Sequence, residues 1–190
     1  MQHNEKTDQE LVTATLQDRH AFAALVERYE KPLERYTRRM GIDPETTKDI
    51  LQESFIKAYI NLNDYDASLS FSAWLYRITH NQAITYFRKQ RVRPAPVERE
   101  EDLALFDKIP DALDIVAESD TKSARAAVQE AVQSLETHYR EVLLLRFFEE
   151  KSYDEISDIL QIPAGTVATY INRGKAKLKE LLKKNKTLDV

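Results

Sequence analysis

The sequence predicts an all-α protein with two helical domains, the second a helix-turn-helix, joined by an acidic linker. Three observations carry this. Glycine and proline are scarce, 3 and 6 in 190 residues, which favours helices over a turn-rich β fold. Apolar residues recur at helical spacing toward both ends of the chain, the signature of amphipathic helices. Charge is uneven: residues 94–120 hold 2 basic and 9 acidic side chains, against 14 and 13 in residues 1–93 and 12 and 10 in residues 121–190. The overall charge of −4 is therefore the linker's, and neither end is too acidic to meet nucleic acid.

The N-terminal domain, residues 1–93, reads as a run of helices. Asp8 is placed to cap a first helix carrying Leu11, Val12 and Leu16. A second, near 20–29, carries Phe22, Leu25, Val26 and Tyr29. Pro32 suits the first turn of a third, with Leu33, Tyr36 and Met40, which Gly41 ends. A fourth starts at Asp43-Pro44-Glu45 and runs to about Ile60, with Leu51, Phe55, Ala58 and Leu62 turned inward. Its other face brings Asp49, Gln52, Glu53, Ile56 and Ile60 together. Isoleucines among carboxylates suit a partner surface. Equally, another helix of the domain can cover them.

The loop 61–70 leads into a helix over 71–93 with five basic residues and no acidic one. Phe71, Leu75 and Ile78 mark its inward face, and Trp74, Arg77, Asn81, Ile84 and Arg88 follow one another along an adjacent stripe. An aromatic, cations and an amide in line suit a strand of unstacked bases, which stack on rings while cations hold phosphates. The plainer reading places Trp74 and Tyr76 in the core.

Residues 94–121 form the linker. Pro94, Pro96 and Pro110 interrupt any helical period, and Leu103, Leu105, Phe106 and Ile109 punctuate an acidic run. It reads as a solvated tether or as a polyanion that enters a basic channel of a partner.

The C-terminal domain, residues 122–190, holds the most specific pattern. Tyr153, Ile156, Ile159 and Leu160 mark a short amphipathic helix, followed by Gln161-Ile162-Pro163-Ala164-Gly165 and a second helix opening at Thr166. Such a pair, the second helix rich in lysine, reads as a helix-turn-helix for duplex DNA. Val167, Ile171, Gly174, Leu178 and Leu181 share one face of the second helix. Thr169, Asn172 and Ala176 lie opposite, flanked by Ala168, Arg173, Lys175 and Lys179.

Several chemistries find no footing. The chain has no cysteine, hence no disulfide, thiolate zinc site or cysteine nucleophile. His3, His20, His80 and His138 lie far apart along the chain and make no histidine ligand pair. Three glycines cannot build a phosphate-cradling loop. No catalytic residue, metal or cofactor is expected. No apolar run approaches the about 20 residues of a membrane span, so a soluble, cytoplasmic protein is expected.

ILQESFIKAYINLNDYD, FSAWLYRITHNQAITYFRK and SYDEISDILQIPAGTVATYINRGKAKL stand in this order along the chain. In that order and spacing the chain resembles the extracytoplasmic-function sigma factors of the sigma-70 family over nearly its whole length. The resemblance implies a sigma-2 domain, a linker and a sigma-4 domain. In that reading Asp49, Gln52, Glu53 and Ile56 bind the β′ clamp coiled coil of core RNA polymerase. Tyr65 lies in the loop that captures a flipped minus-10 base, and Trp74, Arg77, Asn81 and Arg88 contact the melted strand. The linker enters the polymerase's RNA exit channel and active-site cleft. Thr166, Thr169, Asn172, Arg173 and Lys175 read the minus-35 element, and the same domain touches the β flap. Promoter DNA, core polymerase and an anti-sigma factor are the implied partners, and the polymerase supplies the chemistry. The chain departs from the family at Ala168, Thr169 and Tyr170, where a basic residue, a serine and an arginine are usual, and at Gln161, where a turn glycine is usual. This puts the exact minus-35 sequence in doubt, and not the fold.

Two rivals remain. A stand-alone helix-turn-helix regulator would bind duplex DNA without polymerase, but has no need of the aromatic, basic helix 71–93. A metal-dependent nuclease using Asp49 and Glu53 lacks a ligand cluster.

Overall fold

The structure, a computed structural model, describes residues 6–90, Ala131 and residues 134–188. The expected linker, 94–121, lies outside these residues, as does His3. Among the described residues there are seven helices and no strand. They fall in two compact units.

In the first unit α1 spans Asp8–Gln17, α2 Phe22–Arg39, α3 Pro44–Ile60 and α4 Phe71–Gln90. The cap of α1 is Thr7 and not Asp8. The Glu10 N–H donates to Thr7 Oγ1 at 3.3 Å, and the Thr7 N–H donates to Glu10 Oε2 at 2.7 Å. This reciprocal pair satisfies two helix-end donors at once. Asp8 instead accepts from Arg28 Nη1 at 2.6 Å and from the Tyr29 hydroxyl. Leu16, grouped with the apolar residues of α1, is exposed.

The expected break at Pro32 does not occur, for α2 runs straight through it. Proline inside a helix costs about 3 kcal/mol. Leu25, Tyr29, Leu33 and Tyr36 lie buried along one line of α2, each gaining about 1.5–3 kcal/mol, so packing wins. Gly41, at φ 98, ends the helix where an L side chain would be strained. Asp43 then caps α3, its Oδ1 accepting from the Glu45 and Thr46 N–H groups, each at 3.0 Å. Leu51, Phe55, Ala58 and Leu62 are buried as expected, and α3 packs on both α2 and α4.

Toward the C-terminus α5 spans Thr137–Leu143, α6 Tyr153–Leu160 and α7 Ala164–Leu188. One π-helical turn, Leu144–Phe148, follows α5. Ser152 and Glu155 repeat the reciprocal cap at the start of α6, at 3.2 and 2.9 Å. Gln161 ends α6 in the left-handed region, φ 55 and ψ 44, a conformation costing a non-glycine residue about 1–2 kcal/mol. The Ser157 hydroxyl steadies the turn by donating to the Ile162 carbonyl at 2.6 Å. The last helix opens two residues before Thr166, because Thr166 and Val167 both donate to the Pro163 carbonyl, at 2.8 and 3.0 Å. Val167, Ile171 and Leu178 are buried with Val142, Leu145, Ile156 and Ile159. Leu182, rather than Leu181, completes the inward line. Gly174 sits where α7 meets α5: a Cβ there would lie 3.2 Å from Leu143 Cδ1 and 3.3 Å from Tyr139 Cβ.

Candidate partner and nucleic-acid interfaces

Among the described residues no helix covers the outer face of α3. Asp49, Gln52, Glu53 and Ile56 are all exposed, and Ile56, Tyr59 and Ile60 are open by 46%, 43% and 67%. No described helix covers the isoleucines. Glu53 pairs with Lys57 at 3.5 Å, and Lys57 also donates to Gln82 Oε1 of α4 at 2.9 Å. Between α2 and α3 runs an open groove of about 540 Å³, with Val26, Phe55, Ile56 and Tyr59 along it and Glu34, Lys48 and Gln52 at its edges. A partner laid here would meet apolar surface flanked by carboxylates.

A second surface joins the loop 61–70 to α4. Here Trp74 follows the plainer reading, and Tyr65 is packed as well. Trp74 is only 8% exposed and Tyr65 only 9%. The Tyr65 ring meets Phe71 edge-on at 5.5 Å and lies 5.2 Å from Trp74, and its hydroxyl donates to the Leu69 carbonyl at 2.5 Å. Burial pushes the Tyr65 phenol upward, with Asp8 and Asp66 adding to it. Aromatic rings bury 150–250 Å² each, roughly, and at the start of α4 the loop closes over them. Neither ring is a free platform. Farther along the stripe, Asn81 and Arg88 are exposed, with Arg77 and Ile84 half-exposed.

The loop itself is built from local polar contacts. Asp66 Oδ1 accepts from the Ser68 N–H at 2.9 Å, which holds this exposed carboxyl below the usual range. Leu69 is exposed by 47%. Sequence reasoning passed over it, since a loop has no periodicity from which orientation could be read.

The third surface is α7. Thr169, Asn172, Arg173 and Ala176 are exposed, and Thr166 and Lys175 half-exposed, on the side opposite the buried line. The Thr169 hydroxyl donates to the Gly165 carbonyl at 2.8 Å. Tyr170 turns toward α5 and lies 4.7 Å from the His138 ring and 5.7 Å from Tyr139. Lys177 pairs with Glu136 and stands 4.7 Å over the Tyr139 ring. The sequence had marked Tyr170 only as a lost cation. Its aromatic partners were not legible because they come from another helix.

Among the described residues no group of three or more His, Asp or Glu is placed to hold a metal. No helix among them is long and apolar enough to cross a membrane.

Comparison with known proteins completes the picture. The family model described as Sigma-70 region 2 matches residues 25–93, and that described as Sigma-70, region 4 matches residues 125–178. The chain is 35% identical over 171 residues to the ECF RNA polymerase sigma factor SigW of Bacillus subtilis, covering 87% of this chain and 91% of that one. It is 34% identical over 178 residues to the ECF RNA polymerase sigma-E factor of Haemophilus influenzae, covering 89% and 92%. Among solved structures it resembles CnrH in complex with the cytosolic domain of CnrY, with a TM-score of 0.68, 26% identity, and 93% and 97% of the two chains covered. The fold also matches RpoE of Bartonella quintana, solved with the anti-sigma factor NepR, with a TM-score of 0.62 at 17% identity, covering 85% and 96%.

Proposed function

Because the chain belongs to the sigma-70 family, as an RNA polymerase sigma factor of the extracytoplasmic-function group, we propose how its surfaces divide the work. Residues 1–93 form the core-binding and minus-10 domain, 94–121 the acidic linker, and 122–190 the minus-35 domain. Asp49, Gln52, Glu53 and Ile56 dock on the β′ clamp coiled coil. Burial of Ile56 supplies area, and the carboxylates select a basic partner and set its register. Arg77, Asn81 and Arg88 follow the melted minus-10 strand. Tyr65 and Trp74 serve this surface from beneath, as the aromatic base on which the loop stands.

Thr166, Thr169, Asn172, Arg173 and Lys175 face the minus-35 major groove, and the β flap receives the same domain. Phosphate contacts position the helix, and base-edge contacts specify sequence. The polymerase carries the chemistry, so the chain itself is no enzyme. It works in the cytoplasm. CnrH was solved with the cytosolic domain of CnrY, and RpoE with the anti-sigma factor NepR, which supports an anti-sigma factor for this chain too.

The observation that carries this reading is the exposed isoleucine and carboxylate face of α3 beside a helix that holds cations and no acid. A stand-alone regulator needs neither. The test is to reconstitute the chain with core polymerase and sequence the transcripts. Start sites sharing minus-10 and minus-35 elements are expected. Tight duplex binding by the chain alone, with no promoter-specific initiation, would reject it.

A further inference from the structure

We propose that Tyr170 sets minus-35 specificity without touching DNA: together with Lys177 it grips the Tyr139 ring of α5 and holds α7 at a single rotation about its own axis. This rests on the reading of α7 as the minus-35 helix.

Seven residues separate Tyr170 from Lys177, about two helical turns. They therefore share one flank of α7, between its buried line and its exposed face. Both reach the same ring. Tyr170 meets Tyr139 edge-on at 5.7 Å, and the Lys177 ammonium stands 4.7 Å over it. His138 closes the group, 4.0 Å from Tyr139 and 4.7 Å from Tyr170, and Glu136 pairs with Lys177. Tyr139 is itself buried, so the gripped ring is fixed in α5.

Gly174 lies between the two arms, at the point where α7 crosses α5. A crossing made through a glycine brings the helices close but gives α7 no side chain there to resist rolling. Val167, Ile171 and Leu178 fill the core, yet aliphatic contacts carry little directional preference. A ring edge and a cation over a ring face are directional. Tyr170, one turn before Gly174, and Lys177, one turn after it, supply the resistance.

The setting matters on the other side of the helix, where Asn172 and Arg173 are exposed. Side-chain ends lie about 5–6 Å from a helix axis, so a roll of about 20° moves them about 2 Å. A hydrogen bond to a base edge does not survive that shift, whereas attraction to a phosphate falls only slowly with distance. Rolling thus costs discrimination more than affinity.

The experiment uses the full chain assembled with core polymerase and a promoter library randomised over the minus-35 element, the minus-10 element being constant. It reads the mean affinity for the library, the ratio of best to mean binding, and the salt slope. Tyr170→Phe keeps the ring and is expected to match wild type. Tyr170→Ala should keep the mean affinity within about twofold while the ratio falls about tenfold. Tyr170→Arg should raise the mean affinity and steepen the salt slope by about one unit, with the ratio as low as in Tyr170→Ala, because a cation restores attraction and not orientation. Lys177→Met keeps the length, loses the charge over the ring, and should lower the ratio too. Circular dichroism checks folding at the assay temperature. If Tyr170→Ala is unfolded there, Tyr170→Leu, which keeps bulk at the site, takes its place with the same expectation. A wild-type ratio in Tyr170→Ala, while Asn172→Ala changes the preferred sequence, overturns the positioning role and leaves α7 as the reading helix. A fall in mean affinity at an unchanged ratio makes Tyr170 a DNA contact and overturns the role equally. No effect from Asn172→Ala, Lys175→Ala or Tyr170→Ala overturns the reading of α7 as well. A wild-type ratio in Lys177→Met removes the second arm alone.

Discussion

The Tyr36 hydroxyl lies 2.9 Å from His80 Nδ1, with both residues buried in the first unit. Burial pushes the His80 imidazole down to about 4. An unfolded chain's histidine takes its proton near pH 6.5, roughly. Between those values the unfolded state binds more protons, so stability rises with pH. The contribution is complete above about pH 6.5 and is lost as pH falls toward about 4, on the order of 3 kcal/mol in all. Trp74 is the chain's single tryptophan, so its fluorescence reports the first unit. Urea midpoints followed at Trp74 should fall across this window, and more steeply than in His80→Gln. Equal slopes in the two proteins would count against the account.

Glu53 stands exposed on α3 beside Lys57, with nothing buried to lose. Glu53→Lys should leave the urea midpoint within about 0.5 kcal/mol of wild type. It should weaken the complex with core polymerase about tenfold or more, since a like charge then faces a basic partner. Titration of fluorescent chain with core polymerase measures this directly. Wild-type affinity in the variant would remove α3 from the interface.

Two glycines of α7 should behave in opposite ways. At Gly165 a Cβ would meet nothing within 4 Å, so Gly165→Ala should gain about 0.5–1 kcal/mol of helix propensity. At Gly174 the nearest neighbours are Leu143 and the Cβ of Tyr139, and the latter moves only with its backbone. Gly174→Leu should cost about 3 kcal/mol or more by driving α7 off α5. Thermal unfolding followed by circular dichroism separates the two. A Gly174→Leu protein as stable as wild type would disprove close packing at this crossing.

Asn172 and Lys175 should differ in kind. The Asn172 amide is exposed on the side of α7 opposite its buried line, and an amide can make a bidentate contact to a base edge. Asn172→Ala should therefore change which minus-35 sequence is preferred. Lys175→Ala should weaken all promoters nearly alike and lower the salt slope by about one unit. A promoter-library selection with each holoenzyme tests the pair. The reverse pattern would mean that α7 turns a different face to the groove, with Lys175 over the bases and Asn172 beside the phosphates.

Helical period made much of this fold legible, and the residues it misplaced have physical reasons. The inward line Leu51, Phe55, Ala58 and the cap Asp43 were readable because both are local. Pro32 misled because its cost is local while its compensation, the buried row from Leu25 to Tyr36, depends on other helices. Thr7 was passed over for Asp8 since either can cap, and the bonds of Asp8 to Arg28 and Tyr29 decide. At the candidate sites, spacing identified the stripes on α3, α4 and α7. It could not say that Tyr65 and Trp74 sit under the loop, because an aromatic side chain suits core and nucleic acid equally well. Gln161 was seen as a missing glycine. The structure adds that it takes the glycine's conformation, so Gln161→Gly should gain about 1 kcal/mol.

The reciprocal caps at Thr7 with Glu10 and at Ser152 with Glu155 have a consequence in time. Each closes a loop of four residues, which costs little chain entropy. The first turns of α1 and α6 can therefore form before any remote segment arrives. Contacts this local put such helices among fast-folding topologies. The helix that leads into the helix-turn-helix turn has its starting register set by four adjacent residues.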